Sequence, residues 1–178
     1  MVRKFPMRYA TREDVYTEQT QHESLVSDFG RVVATVCYIF SESTNDVLLI
    51  HRNKKMVDPM KDMYIGLGGK CESFESPLEC VVREVNEEVG LSISPDYCGF
   101  GTYVDDRGGP TWEVHYFNAK IPENANLVCD EGTPDWYSLD TAKDIIPEHD
   151  VYTFDAICTK KMIFPKFRRN GNEFRQDS

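Results

Sequence analysis

The chain has 178 residues and 40% hydrophobic content, enough for one globular core and too short for two ordinary domains. Its 20 Lys+Arg against 30 Asp+Glu give a formal net charge of -10, which excludes a basic surface for a nucleic-acid polymer. Free nucleotides stay compatible with this acidity, because divalent cations neutralise phosphates locally.

Six cysteines lie at 37, 71, 80, 98, 129 and 158 with no Cys-x-x-Cys pair, so they read as ordinary reduced thiols. There is no apolar h-region near the N-terminus and no stretch of membrane-spanning length, so the expectation is a cytoplasmic protein without a membrane partner.

Along the chain, residues 1–30 are polar and mixed in charge, and read as an N-terminal arm that docks on the domain or on a partner. The β-branched and aromatic run from Val32 to Phe40 predicts a buried strand. Turn chemistry from Ser41 to Asp46 leads into a second strand at Val47 to Ile50, making a hairpin. After a polar, Met-rich loop, Tyr64 to Gly69 is a short apolar segment ending in glycines that permit close backbone approach.

A helix follows, with Ser76 as N-cap, Pro77 at its first position, Glu79 completing a capping box and Gly90 as the C-terminal stop. Further on, Tyr97 to Val104 and Thr111 to Ile121 read as strands around the turn Asp105 to Pro110. Asp135 to Leu139 reads as a short strand, Pro147 opens a second helix through Val151 to Met162, and the tail 171–178 frays. Mixed strands with two helices over residues 31–170 predict one α/β domain in which a mixed sheet lies between helices.

Leu78, Val81, Val82, Val85 and Val89 recur at steps of three or four residues and make one buried stripe on the first helix. Glu84, Glu87 and Glu88 stand at i, i+3 and i+4 and project together from a neighbouring face. Like charges this close repel unless a cation joins them, and carboxylate oxygens suit Mg²⁺ or Mn²⁺. Taken alone, such a triad is more often solvated surface. The wider spacing decides the matter: Gly69, five residues, Glu75, seven residues, then Arg83-Glu84-Val85-Asn86-Glu87-Glu88-Val89-Gly90-Leu91. Residue usage makes such a match by chance on the order of once in 10⁹ start positions.

In this spacing the chain resembles the Nudix hydrolases, and it fits every fixed position of their signature. Over roughly residues 31–170 it is similar to the MutT-type enzymes that act on 8-oxo-dGTP, through Val47 to Lys55, Tyr64 to Glu72, Glu113 to Phe117 and Asp130 to Asp140. The resemblance implies a Nudix-type α/β/α sandwich and hydrolysis at phosphorus of a nucleoside diphosphate linked to another group, with Mg²⁺ as cofactor and Mn²⁺ as a substitute. Gly68 then supplies a carbonyl ligand, while Glu84, Glu87 and Glu88 hold metal or orient and deprotonate water. Gly69 and Gly90 shape the loop and the helix end, and Glu75 pairs with Arg83 to fix the loop against the helix. Glu131, five residues before Trp136, completes the metal site or acts as base, and Trp136 itself is core.

Substrate contacts are expected from Arg52 on phosphate, with Lys70, Ile65 and Glu148 completing the set. The resemblance is weakest at the base. Ile65 stands where human-type members carry an amide, and Glu148-His149-Asp150 follows Pro147 where they carry paired aspartates. Ile65 has no hydrogen bond to offer a purine edge, and His149 reads as a surface histidine at the helix start. The expected activity is conversion of a modified nucleoside triphosphate, 8-oxo-dGTP first, to monophosphate and pyrophosphate. ADP-ribose, a dinucleoside polyphosphate or a capped RNA end as substrate, the last disfavoured by the acidity, and a non-catalytic nucleotide sensor are the competing readings. The expected partner is a small-molecule nucleotide, and a homodimer is compatible with the sequence.

Overall fold

The apolar run that begins at Arg31 becomes a long central strand because side chains of both its faces find a core. In a computed structural model of the chain, which describes residues 26–27, 30–105, 109–170 and 173–176, that strand is β2 (Arg31–Ser41). It is preceded by β1 (Val26–Ser27) and followed by β3 (Val47–His51), β4 (Tyr64–Ile65) and helix α1 (Pro77–Val89). Then come β5 (Asp96–Asp105), β6 (Thr111–Ile121), β7 (Thr133–Tyr137), α2 (Leu139–Ile145), α3 (Glu148–Cys158), β8 (Lys166–Asn170) and β9 (Glu173–Gln176).

The strands form one mixed sheet in the order β4-β3-β2-β6-β5-β8-β9, with β1 paired to β2 and β7 to β3. Two pairs are parallel, β2 with β6 over eleven residue pairs and β5 with β8, and the others are antiparallel. The expected hairpin is present, Ile39 opposite Leu48 and Phe40 opposite Val47.

Alternation along β2 and β3 divides the core in two. Cys37, Ile39, Leu48 and Ile50 face one side, where Val81, Val85 and Val89 of α1 cover them. Tyr38, Phe40, Val47 and Leu49 face the other, where Ala142, Phe154 and Ile157 of α2 and α3 close the second core. Helix, sheet and helices therefore stack as three layers, the sandwich expected.

Several boundaries differ from the sequence expectation for local reasons. The strand placed at Asp135 to Leu139 ends at Tyr137, because the Ser138 hydroxyl accepts from the Thr141 N–H and starts the additional helix α2. The second expected helix stops at Cys158 rather than Met162, with Lys160 in the left-handed region at φ 55°. Leu78 is not in the buried stripe: it is half-exposed in the first turn of α1, and Cys80 takes the inward position. At the C-terminal end Glu173–Gln176 pairs with β8 instead of fraying. Most of the N-terminal arm and the tip of the turn after β5 lie outside the described residues.

Candidate active site

Two local devices place the acidic residues. The first is the start of α1: Ser76 Oγ accepts from the Glu79 N–H, the Glu79 carboxylate accepts from the Ser76 N–H at 2.8 Å, and Pro77 follows. At the other end Gly90, at φ 74°, stops the helix and donates to Asn86. The helix thus starts at a fixed residue, so that Glu84 and Glu88 come one turn apart on the side toward the glycine loop.

The second device is that loop, which lies along β2. Cys37 and Leu67 exchange backbone hydrogen bonds of 2.6 and 3.0 Å, the Thr35 N–H donates to Gly69 O at 2.8 Å, and the Cys71 N–H donates to Val33 O at 2.9 Å. Gly68 sits at φ 142°, and a Cβ there would stand 2.2 Å from Thr35 O, so only glycine fits. A Cβ on Gly69 would stand 2.5 Å from the Glu84 carboxyl carbon. The loop's bareness is what lets helix carboxylates reach it.

Two arginine-centred networks organise the acids. Arg83 forks onto Glu75 (Nε to Oε1 2.8 Å, Nη2 to Oε2 2.9 Å), and its Nη1 reaches Glu84 at 2.8 Å and Glu87 at 3.0 Å. It also donates to Lys70 O at 3.1 Å, joining loop to helix. The expected pairing of Glu75 with Arg83 is present, and the guanidinium's hydrogen bonds hold Glu75 below the usual carboxylate range. The links to Glu84 and Glu87 exceed the expectation.

Arg52, at the end of β3, donates to Asp58 at 2.8 Å, pairs closely with Glu131, and stands 3.8 Å from Glu88. Burial opposes its charge, but the Asp58 hydrogen bond and the three carboxylates outweigh it and raise its pKa. Lys55 pairs with Glu131 as well. The sequence reading missed Asp58 and Lys55. Their only signal was a charged loop after a strand, which has no period to place its side chains.

Glu88 lies between the networks. Its side chain is 7% exposed, and Oε2 accepts the Gly68 N–H at 2.9 Å. Burial, with added repulsion from Glu131 and Glu84, pushes its pKa up to about 8 despite the opposing Gly68 hydrogen bond and Arg52. Glu84 is raised too, by burial first, although Arg83 counters it. Two carboxyl groups driven toward neutrality by lost solvent and mutual charge make a site that a hard cation relieves. Glu87 remains largely exposed.

The remaining expected residues sit as follows. Ile65 is half-buried on β4 opposite Ile50. Lys70 extends over the Trp112 ring, 5.4 Å from its centroid, rather than toward the carboxylates. Glu148 is exposed in the first turn of α3. His149 is not the surface side chain expected: it is 13% exposed and edge-on to Tyr103, because α3 packs its first turn against the sheet. Trp136 packs, half-buried, against the α1-side core.

A family model for the NUDIX domain matches residues 30–156. Among solved structures, the chain is similar to the MutT protein from Bacillus halodurans (TM-score 0.67, 23% identity, covering 82% of this chain and 97% of that one). A MutT protein from Methanosarcina mazei Go1 gives TM-score 0.62 at 21% identity, covering 75% and 97%. The dihydroneopterin triphosphate pyrophosphohydrolase of E. coli gives 0.61 at 17%, covering 71% and 94%.

Proposed function

The chain belongs to the NUDIX domain family and is a pyrophosphohydrolase of nucleoside diphosphate derivatives; from that premise we propose that it splits a nucleoside triphosphate into monophosphate and pyrophosphate, using Mg²⁺. The observation that carries this reading is Glu88, a buried carboxyl with one oxygen fixed by the glycine loop and the other facing Arg52.

The donors present fit a hard divalent ion: carboxylates of Glu84, Glu88 and Glu131 with Glu87 at the rim, and a loop whose Gly68 carbonyl has no side chain to shield it. When bound, the ion supplies charge neutralisation for the diphosphate, Lewis acidity at phosphorus and a more acidic water. The chain's own groups do the rest. The Gly68 N–H holds Glu88 Oε2, which leaves Oε1 to take a proton from the attacking water. Arg83 orients Glu84 and Glu87 from the side. Arg52, displaced from Glu131 by the substrate's greater negative charge, moves onto phosphate.

The substrate side is proposed more broadly. 8-oxo-dGTP is the first candidate, and the likeness to a dihydroneopterin triphosphate enzyme adds pteridine triphosphates. Ile65 contributes shape only, and Glu148, exposed in the first turn of α3, is the hydrogen-bonding group proposed for a base edge. The test is hydrolysis, read as pyrophosphate from a panel of ordinary and oxidised nucleoside triphosphates and dihydroneopterin triphosphate and as AMP from ADP-ribose, with Mg²⁺ and with EDTA. Metal-dependent release from one or more triphosphates is expected. Turnover of ADP-ribose alone, or no turnover of any compound, overturns the proposal.

A further inference from the structure

Cys71 and Cys80 occupy two of the variable positions within the signature, and the hydrolytic chemistry does not use them. The Cys71 N–H is fixed to Val33 O of β2 at 2.9 Å, and Cys80, fully buried one turn into α1, hydrogen-bonds Ser76 O through its backbone. The loop and the capped helix start bring both thiols against Glu75. The Sγ atoms of Cys71 and Cys80 and a carboxylate oxygen of Glu75 all lie within 4.8 Å of one another. Among the described residues no other set of three His, Cys, Asp or Glu side chains gathers its ligand atoms so closely, the carboxylates around Glu88 included.

We propose that Cys71, Cys80 and Glu75 form a second metal site, for a thiophilic divalent cation of the Zn²⁺ or Cd²⁺ type, separate from the carboxylate site. Two soft sulfurs with one oxygen select such ions over Mg²⁺. A tetrahedral ion with metal–sulfur bonds of about 2.3 Å sets its ligands about 3.8 Å apart, so the three atoms need to close by about 1 Å at most. Oxygen for the fourth position is adjacent: Thr35 Oγ1 is 3.5 Å from Cys80 Sγ, and Gly69 O is 3.7 Å away. Binding exchanges two S–H bonds for two metal–sulfur bonds and releases two protons, with no electron transferred. Entry is past Glu75, whose side chain is 13% exposed.

Occupation has a consequence for turnover. Glu75 is the carboxylate on which Arg83 forks, and Arg83 also positions Glu84 and Glu87. An ion that draws Glu75 toward the sulfurs loosens that fork, so the thiophilic ion is an inhibitor. This inhibitory role rests on the hydrolase reading; the binding does not.

The test titrates the full chain, reduced and metal-free, with Cd²⁺ in excess Mg²⁺, reading thiolate-to-metal charge-transfer absorbance. One Cd²⁺ per chain with that absorbance is expected, and Cys71→Ser and Cys80→Ser should each weaken binding about 100-fold or more. Cys158→Ser should leave it unchanged. In the unmodified chain, each bound Cd²⁺ should release two protons in a weakly buffered titration, a readout independent of how the variants fold. No absorbance, no proton release, or full affinity in Cys71→Ser overturns the site. Zn²⁺ should inhibit the parent and spare Cys71→Ser. Failure of the hydrolase reading shows separately, as no turnover in any sample while the absorbance titration still reports.

Discussion

At the scale of single residues, Glu88 combines two demands that conflict in the metal-free protein. A carboxyl buried for reaction is costly to ionise, and its pKa of about 8 lies above the ordinary value of 4.5. A raised folded-state value means that stability is fully present below pH 4.5 and falls as pH rises through 8. Glu88→Gln keeps an oxygen for the Gly68 N–H and removes the charge. In EDTA the variant should therefore be more stable than the parent at pH 8, by a few kcal/mol in urea unfolding, and the gap should close toward pH 5. Its turnover with Mg²⁺ should fall by several orders of magnitude. A parent that is equally stable relative to the variant at both pH values contradicts the burial account. The glycines separate in the same way. Gly68→Ala forces a Cβ against backbone at 2.2 Å and should destabilise by about 3 kcal/mol or more. Gly69→Ala meets only the movable end of Glu84, so the fold should persist while turnover is lost.

At the scale of elements, α1 was legible in detail because its signals are local. Ser76, Pro77, Glu79 and Gly90 each act within one turn of their own position, and the structure has the helix where they put it. Ser76→Ala should cost about 1 kcal/mol in thermal or urea unfolding, and turnover should change little, since Glu84 and Glu88 lie beyond the first turn. The alternation of β2 and β3 was legible for the same reason. What escaped was short or non-local. Helix α2 buries only Ala142 fully, too little to give a period. Strand β8 exists by parallel pairing with β5, more than sixty residues earlier, and its own sequence Lys166-Phe167-Arg168-Arg169-Asn170 does not announce a strand. The same limit applied in the site. Glu75 with Arg83 was readable from spacing along one loop and helix, whereas Arg52 with Asp58 depends on how a Met-rich loop folds back. Leu78 shows the opposite error, a residue in phase with the apolar stripe that lies in the first turn, where the helix leaves it half-exposed.

At the scale of the whole molecule, charge constrains how any phosphate substrate arrives. The chain carries a net -10, and the site adds Glu84, Glu87, Glu88, Glu131 and Asp58 against Arg52, Arg83 and Lys55. A triphosphate approaching this surface without a cation meets repulsion from both the global field and the local acids. Binding and metal should therefore be coupled rather than additive. A triphosphate with carbon replacing the bridging oxygen between the α and β phosphorus atoms resists cleavage and isolates the binding step. In EDTA it should leave the melting temperature unchanged. With Mg²⁺, at about 100 times its dissociation constant, it should add about 2.7 kcal/mol of stability, or roughly 5–10 °C for a domain of this size. Glu88→Gln should abolish the increment, and single-stranded DNA or RNA should not produce it under either condition. An equal shift with and without Mg²⁺ would mean that the arginines alone hold the phosphates, and the coupling inferred from the acidic site would be wrong.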